Sequence, residues 1–197
     1  MQKISQHIAI RNNRVLLNGN VFFEGQQTDF KDFVKELYQH LAINYPKFYK
    51  MDNLCKLAFL ASEIALKDIQ EKDIALIFSN KEGSLDSDMQ HQKLISEVDN
   101  FYPSPAVFVY TLPNISIGEV SIRHQLKSES MFLLADSYQS DYIAPYCELL
   151  INSGKAKKVL CGWLKMINGD YQANFYLVEP EGILEHDIEN IDQIINK

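Results

Sequence analysis

Cysteine is scarce in this sequence and follows no pattern. Cys55, Cys147 and Cys161 are the only three in 197 residues, and their spacing fits neither a zinc nor a redox motif. An odd count suits a reducing compartment, where thiols serve as small apolar side chains. Positive charge is also short. The formal net charge is −7, whereas a nucleic-acid binder needs a basic face to displace counterions from phosphates. The densest basic stretch, residues 155–158, holds three lysines and follows a predicted helix end, where a solvated cationic turn complements the helix dipole. No apolar run approaches the ~18 residues of a membrane span. The N-terminal stretch lacks the apolar core of a signal peptide. Together these absences point to a cytoplasmic protein.

Several chemistries lack their signatures as well. No G-x-G-x-x-G pattern marks a dinucleotide site. No His/Asp/Glu cluster has metal-ligand spacing, and Asp86 and Asp88 stand without the other ligands of a calcium loop. No metal or cofactor is implied. There is no internal repeat, no low-complexity tract and no linker, so residues 1–197 read as a single domain.

What is present is an alternation of strands and helices. Residues 7–23 alternate around polar turns at Asn12-Asn13 and Asn18-Gly19-Asn20, predicting two short strands. Asp29 or Thr28 caps an amphipathic helix through Phe30, Phe33, Val34, Leu37 and Leu41, and Pro46 ends it. Residues 51–69 form the strongest predicted helix, with Leu54, Leu57, Ala58, Ala61 and Ala65 on one face. Residues 73–79 form a continuous apolar run, as in an interior parallel strand. A polar helix follows from Asp86 to about Val98. Residues 105–110, PAVFVY, read as an extended segment. The Thr-Leu-Pro-Asn turn then leads into a helix carrying Gly118-Glu119 and Ile122-Arg123-His124. An apolar strand at 131–135 meets a polar elbow, Asp136-Ser137-Tyr138. A helix ending at Ser153-Gly154, strands at 158–163 and 172–178, and a C-terminal helix complete the chain. This order predicts a layered α/β domain with a mostly parallel sheet.

The stretches MDNLCKLAFLASEIALKD, SPAVFVYTLPNISIGEVSIRHQL and SGKAKKVLCGW, in this order, resemble the N-terminal half of a β-ketoacyl synthase of the thiolase fold. The resemblance covers most of residues 51–178. It implies a layered α-β-α half-fold with a five-stranded, mostly parallel mixed sheet. Counting back from Ser153-Gly154 places the family's nucleophile at Ser137, or at Asp136 with a one-residue slip. Neither is a cysteine, and Cys147 lies too far into the helix. The family's catalytic histidine pair comes from the C-terminal half of the fold. His7, His40, His91, His124 and His186 match none of those positions. The chain is thus similar to the short chain-length-factor-like subunits of aryl-polyene and flexirubin pathways. That likeness implies a non-catalytic partner of a full-length ketosynthase, in a heterodimer or by self-association. Acyl carrier protein would be met through the ketosynthase. Half of a fold also implies an uncovered apolar face.

The remaining residues admit two readings each. Thr111, Asn114 and Tyr138 could line an interface or acyl tunnel, or Asn114 could simply cap a helix and Tyr138 pack in the core with Tyr142 nearby. Glu119 and Arg123 stand four apart, as in an intrahelical ion pair. His124 could meet a phosphopantetheine arm or be an ordinary packed histidine. Asp136 or Ser137 could cap the helix after the elbow. A Ser137-dependent hydrolase or acyltransferase would need a base, and His124 is the candidate; ADSYQS is not a G-x-S-x-G elbow. A homodimeric acyl-ligand-binding protein is a further reading.

Overall fold

The computed structural model describes residues 2–26, 29–96 and 101–196. The chain opens with three antiparallel strands, β1 (Lys3–Arg11), β2 (Arg14–Leu17) and β3 (Asn20–Glu24). Two-residue turns join them. Asn12 and Asn13 have φ of 49° and 57°, and Asn18 and Gly19 have 51° and 81°. Left-handed residues at both turn positions match the natural strand twist.

Helix α1 (Phe30–His40) starts at Asp29, whose carboxylate accepts from the Lys31 amide; Thr28, the other candidate cap, lies outside the described residues. A 3₁₀ turn (Pro46–Lys50) follows. Helix α2 (Asn53–Ala65) is capped by Asp52, which accepts from the Cys55 amide at 2.8 Å. It is buried on nearly every side, as its run of leucines and alanines requires. Strand β4 (Ile74–Asn80) is buried at every position. Then come α3 (Leu85–Ile95), α4 (Pro105–Val109), α5 (Ile115–His124), β5 (Ser130–Leu134) and α6 (Ser140–Asn152). Val98, the far end expected for α3, lies outside the described residues. Strands β6 (Lys158–Ile167) and β7 (Asp170–Glu179) form a hairpin, and β8 (Leu184–Glu185) and α7 (Ile188–Ile195) end the described chain.

The strands form one mixed sheet in the order β3-β2-β1-β7-β6-β4-β5, with β8 on β1. The layered α/β architecture is as expected, but among the described residues the sheet has eight strands rather than five. Parallel pairing occurs only between β4 and its neighbours β5 and β6; every other pair is antiparallel. Helical crossovers give the parallel neighbours and the tight turns at Asn12, Asn18 and Asn168 force antiparallel hairpins, while β1 meets β7 and β8 from the far side of the sequence.

Helices α1, α2 and α5 cover one sheet face, and α6 and α7 cover the other. In β4, Ile74, Leu76 and Phe78 face the first layer and Ala75 and Ile77 the second. A bulge in β1 between Ile4 and Gln6 shifts its register by one. Ile4 therefore joins the second core while Ile8 and Ile10 join the first, because a one-residue slip flips the pleat. Apolar side chains remain uncovered on the outer sides of α6 and α7, at Tyr142, Leu149 and Ile188.

Residues 105–109 are helical, not extended. Pro105 sits at the first helical position, and Ser104 accepts from the Val107 amide. Those two start signals outweigh the strand propensity of the Val-Phe-Val run. Among the described residues no helix is long and apolar enough to cross a membrane.

Candidate functional site

Among the described residues strand β5 is an edge strand, paired only with β4. Its parallel register runs Leu76 to Ser130 through Asn80 to Leu134. At its end the Ala135 amide donates to the Asn80 carbonyl at 3.1 Å, and the chain turns through residues 136–139 into α6. The expected strand-to-helix corner beside the sheet is therefore present.

The corner offers no activated nucleophile. The Ser137 side chain faces solvent, and both its Oγ and its carbonyl accept from Gln139 Nε2, at 3.3 and 3.0 Å. The side chain of Asp136 is 94% exposed and meets only Lys81, at 3.3 Å. Neither residue caps α6. The helix begins at Ser140, and Gln139 occupies the cap position without a side-chain bond. The expected capping role fails because the helix starts three residues beyond Ser137.

Tyr138 turns the other way. Its phenol oxygen lies 2.8 Å from that of Tyr176, and its ring meets Trp163 edge-on at 6.1 Å. Burial pushes both phenols well above the usual tyrosine range. Nearby, the Cys147 and Cys161 sulfurs lie 3.4 Å apart, both fully buried. Contact with the Cys161 thiol, followed by burial, pushes the Cys147 thiol up. Cys161 is a core residue of the α6 layer and Tyr138 packs, partly buried, against that core, and Tyr142 stacks on Tyr146 on the outside of that helix.

The other candidate stretch reaches this corner through a loop that the sequence did not single out. Asn80 is fully buried at the end of β4. Its amide donates to the Gly83 carbonyl at 2.8 Å and accepts from the Gly83 amide at 3.0 Å. Ser84 Oγ then donates to the Thr111 carbonyl at 2.6 Å, while Lys81 reaches Asp136. One short loop thus ties the Thr111 turn to the elbow. Its signal was a polar residue closing an apolar strand. Thr111 Oγ1 donates to the Phe108 carbonyl. Asn114 takes the cap position of α5 but makes no capping bond with its side chain.

The expected Glu119–Arg123 pair does not form. Glu119 is buried and meets Lys47 at 2.7 Å, with the Tyr110 hydroxyl donating to it at 3.4 Å. Burial, with the Glu119 charge, pushes the Tyr110 phenol up. Arg123 instead forms a two-point bridge to Glu63 on α2, at 2.6 and 3.0 Å. His124 Nε2 also lies 3.1 Å from Glu63. The helical i,i+4 rule gives way here to a partner 60 residues away. Glu63, the one acid in a mostly apolar helix, was the available signal. His124 ends α5, which feeds the start of β5, whereas Ser137 follows the end of that strand. Strand and elbow thus separate the proposed base from the proposed nucleophile. Asp86 accepts from Asn53, Gln90 and the Asn168 amide, which accounts for it structurally.

No protein-family model matches the chain, and no curated protein matches it in sequence. Solved structures do match its fold. A chain of the ishigamide ketosynthase/chain length factor superposes with a TM-score of 0.64 at 16% identity, covering 90% of this chain and 62% of that one. A chain from the complex of the ketosynthase ApeO with its chain length factor ApeC, from Xenorhabdus doucetiae, gives 0.64 at 16%, covering 92% and 80%. A chain from AntDE:AntF, a type II acyl-carrier protein in complex with its ketosynthase, gives 0.65 at 15%, covering 91% and 62%. The chain therefore has the fold shared by ketosynthases and chain length factors, and spans 62% of the length of the first of these.

Proposed function

We propose that this protein is a non-catalytic, ketosynthase-like subunit of the chain-length-factor kind. It pairs with a full-length ketosynthase in the cytoplasm and helps shape the pocket that holds an acyl chain growing on acyl carrier protein. The pathway on this reading is the fatty-acid or polyketide-type synthesis of an aryl-polyene or flexirubin pigment. The observation that carries it is the corner at residues 136–139. Condensation needs a thiolate to hold the acyl group. On this reading the nucleophile position falls at Ser137, or at Asp136 with a one-residue slip; Ser137 is solvent-facing and bonded to Gln139, and the next side chain, Tyr138, is bonded to Tyr176.

The surface beside the corner supports a partner. The bonds Leu76 N to Glu129 O and Ala135 N to Asn80 O assign the odd-numbered peptides of this segment to β4. The peptides of Ser130, Phe132 and Leu134 then point along the open edge, a template for another strand. Leu134 is 62% exposed, and Phe108, Val109 and Leu112 are exposed on the connection that leads to β5. The Ser137 hydrolase reading gains no support, since His124 lies beyond the far end of β5.

Co-expression with a full-length ketosynthase tests the proposal. A stable heterodimer on size exclusion is expected. A chain that elutes without its partner at micromolar concentration would overturn it.

A further inference from the structure

A small cleft opens where the C-terminal ends of α1, α2 and α5 converge, away from the elbow. Its volume is about 280 Å³, and Leu66 and Ile69 supply part of an apolar floor. The polar wall holds Glu63, Lys67, Lys72, Arg123 and His124. In a chain of net charge −7 this is a local reversal, three fixed cations against one carboxylate.

That carboxylate is already committed. Glu63 is about nine-tenths buried and holds the Nε and one Nη of Arg123. Burial raises its pKa, but the contacts of His124 and Arg123 outweigh burial and hold it below the usual carboxylate range. Arg123 is fixed from a second direction by the Tyr45 ring, 5.2 Å from its guanidinium carbon. A guanidinium carries five N–H donors in a rigid fork. Two are spent on Glu63, so its outer Nη edge keeps a two-point donor face. His124 Nε2 is buried and, despite its 3.1 Å approach to Glu63, makes no aligned hydrogen bond. Among the described residues neither the Lys67 nor the Lys72 ammonium has an ion-pair partner. Fixed arginine, two free ammonium groups and an apolar floor are the parts of an anion site.

We propose that this cleft binds a small organic anion, a carboxylate or phosphate monoester carrying a short hydrocarbon body. The head group meets the free edge of Arg123 and the two lysines, and the body lies on Leu66 and Ile69. The volume equals roughly nine waters at ~30 Å³ each, which limits the ligand to a short chain. The competing role for the same cations is to complement the carbonyl ends of α2 and α5. That role needs no ligand and predicts no binding. The inference does not depend on the ketosynthase pairing, because the test uses this chain alone.

Calorimetric titration of the full chain with hexanoate, hexyl phosphate and acetate, at ionic strength matched with sodium chloride, decides between the two. Saturable binding of hexanoate or hexyl phosphate is expected with a Kd of about 1 mM or tighter. The tighter of the two identifies the head group. Acetate should bind at least ~10-fold more weakly, since it lacks the body that covers the floor. The double variant Lys67→Gln/Lys72→Gln should lose about fivefold in affinity with its melting temperature unchanged, because both side chains are exposed. No saturation by either six-carbon probe, or equal affinity in the double variant, would overturn the assignment.

Discussion

Replacing Gly162 by alanine tests the centre of the sheet. Gly162 on β6 pairs with Phe175 on β7 and with Phe78 on β4. The Phe175 ring lies across the space where a Gly162 side chain would be and meets Phe78 at 4.8 Å. An added Cβ would stand 2.6, 2.7 and 2.9 Å from three of its ring carbons, about 1 Å inside normal carbon contact. The ring cannot swing aside, because Phe175 and Phe78 are both fully buried. Overpacking of this kind costs about 2 kcal/mol. Alanine restricts the unfolded chain and returns about 0.7 kcal/mol. The net loss is roughly 1.3 kcal/mol, a fall in Tm of about 3–5 °C for a chain of this size. Circular-dichroism melts measure it directly. Phe175→Leu removes the clashing ring edge, so Gly162→Ala should cost less in that background than in the parent. A Tm within about 1 °C of the parent, or strictly additive losses in the double variant, would refute the packing argument.

Four further outcomes follow from other sites. His186 is buried beside Tyr176 with both ring nitrogens unpartnered, and burial pulls its pKa from 6.5 down to about 4. The unfolded chain therefore binds the extra proton between these values, and stability falls as pH drops from 6.5 to about 4, by at most ~3 kcal/mol. His186→Phe should flatten that part of a denaturant-midpoint profile, and an unchanged slope would count against it. Leu134→Pro removes an outward-facing amide from β5; it should abolish ketosynthase pairing in a pull-down while leaving far-UV dichroism unaltered, and retained pairing would rule out the β5 edge. Cys55, Cys147 and Cys161 are all buried, so a thiol-reactive dye should titrate three groups only after unfolding; fast native labelling would contradict the packing. A fluorophosphonate probe should leave Ser137 unmodified, and labelling lost in Ser137→Ala would revive the hydrolase reading.

Where one local rule decided the outcome, the sequence was readable. Residues 74–78 of β4 offer no polar position to expose, so only a two-sided interior strand suits them. The Asn-Gly turns demand left-handed backbone, which marks hairpins. Asp29 announced its helix by capping chemistry. The polar elbow at residues 136–138 stood out because it interrupts two apolar segments. Where rules competed, local reading failed. PAVFVY has strand propensity, but Ser104 and Pro105 start a helix. Arg123 has Glu119 at helical spacing, yet tertiary packing gives it Glu63. The sheet's size depended on pairings such as β1 with β7, between residues as far apart as Lys3 and Glu179, which no periodicity reveals.

The bulge in β1 also bears on how the polypeptide acquires its shape. Strand β1 contributes Ile4 to one hydrophobic layer and Ile8 and Ile10 to the other, and its main partner is β7, with Lys3 paired to Glu179. Neither layer is complete until these two distant strands pair. Contacts of such long sequence separation slow folding. The β1–β7 seam is thus the slow step expected in assembling both layers.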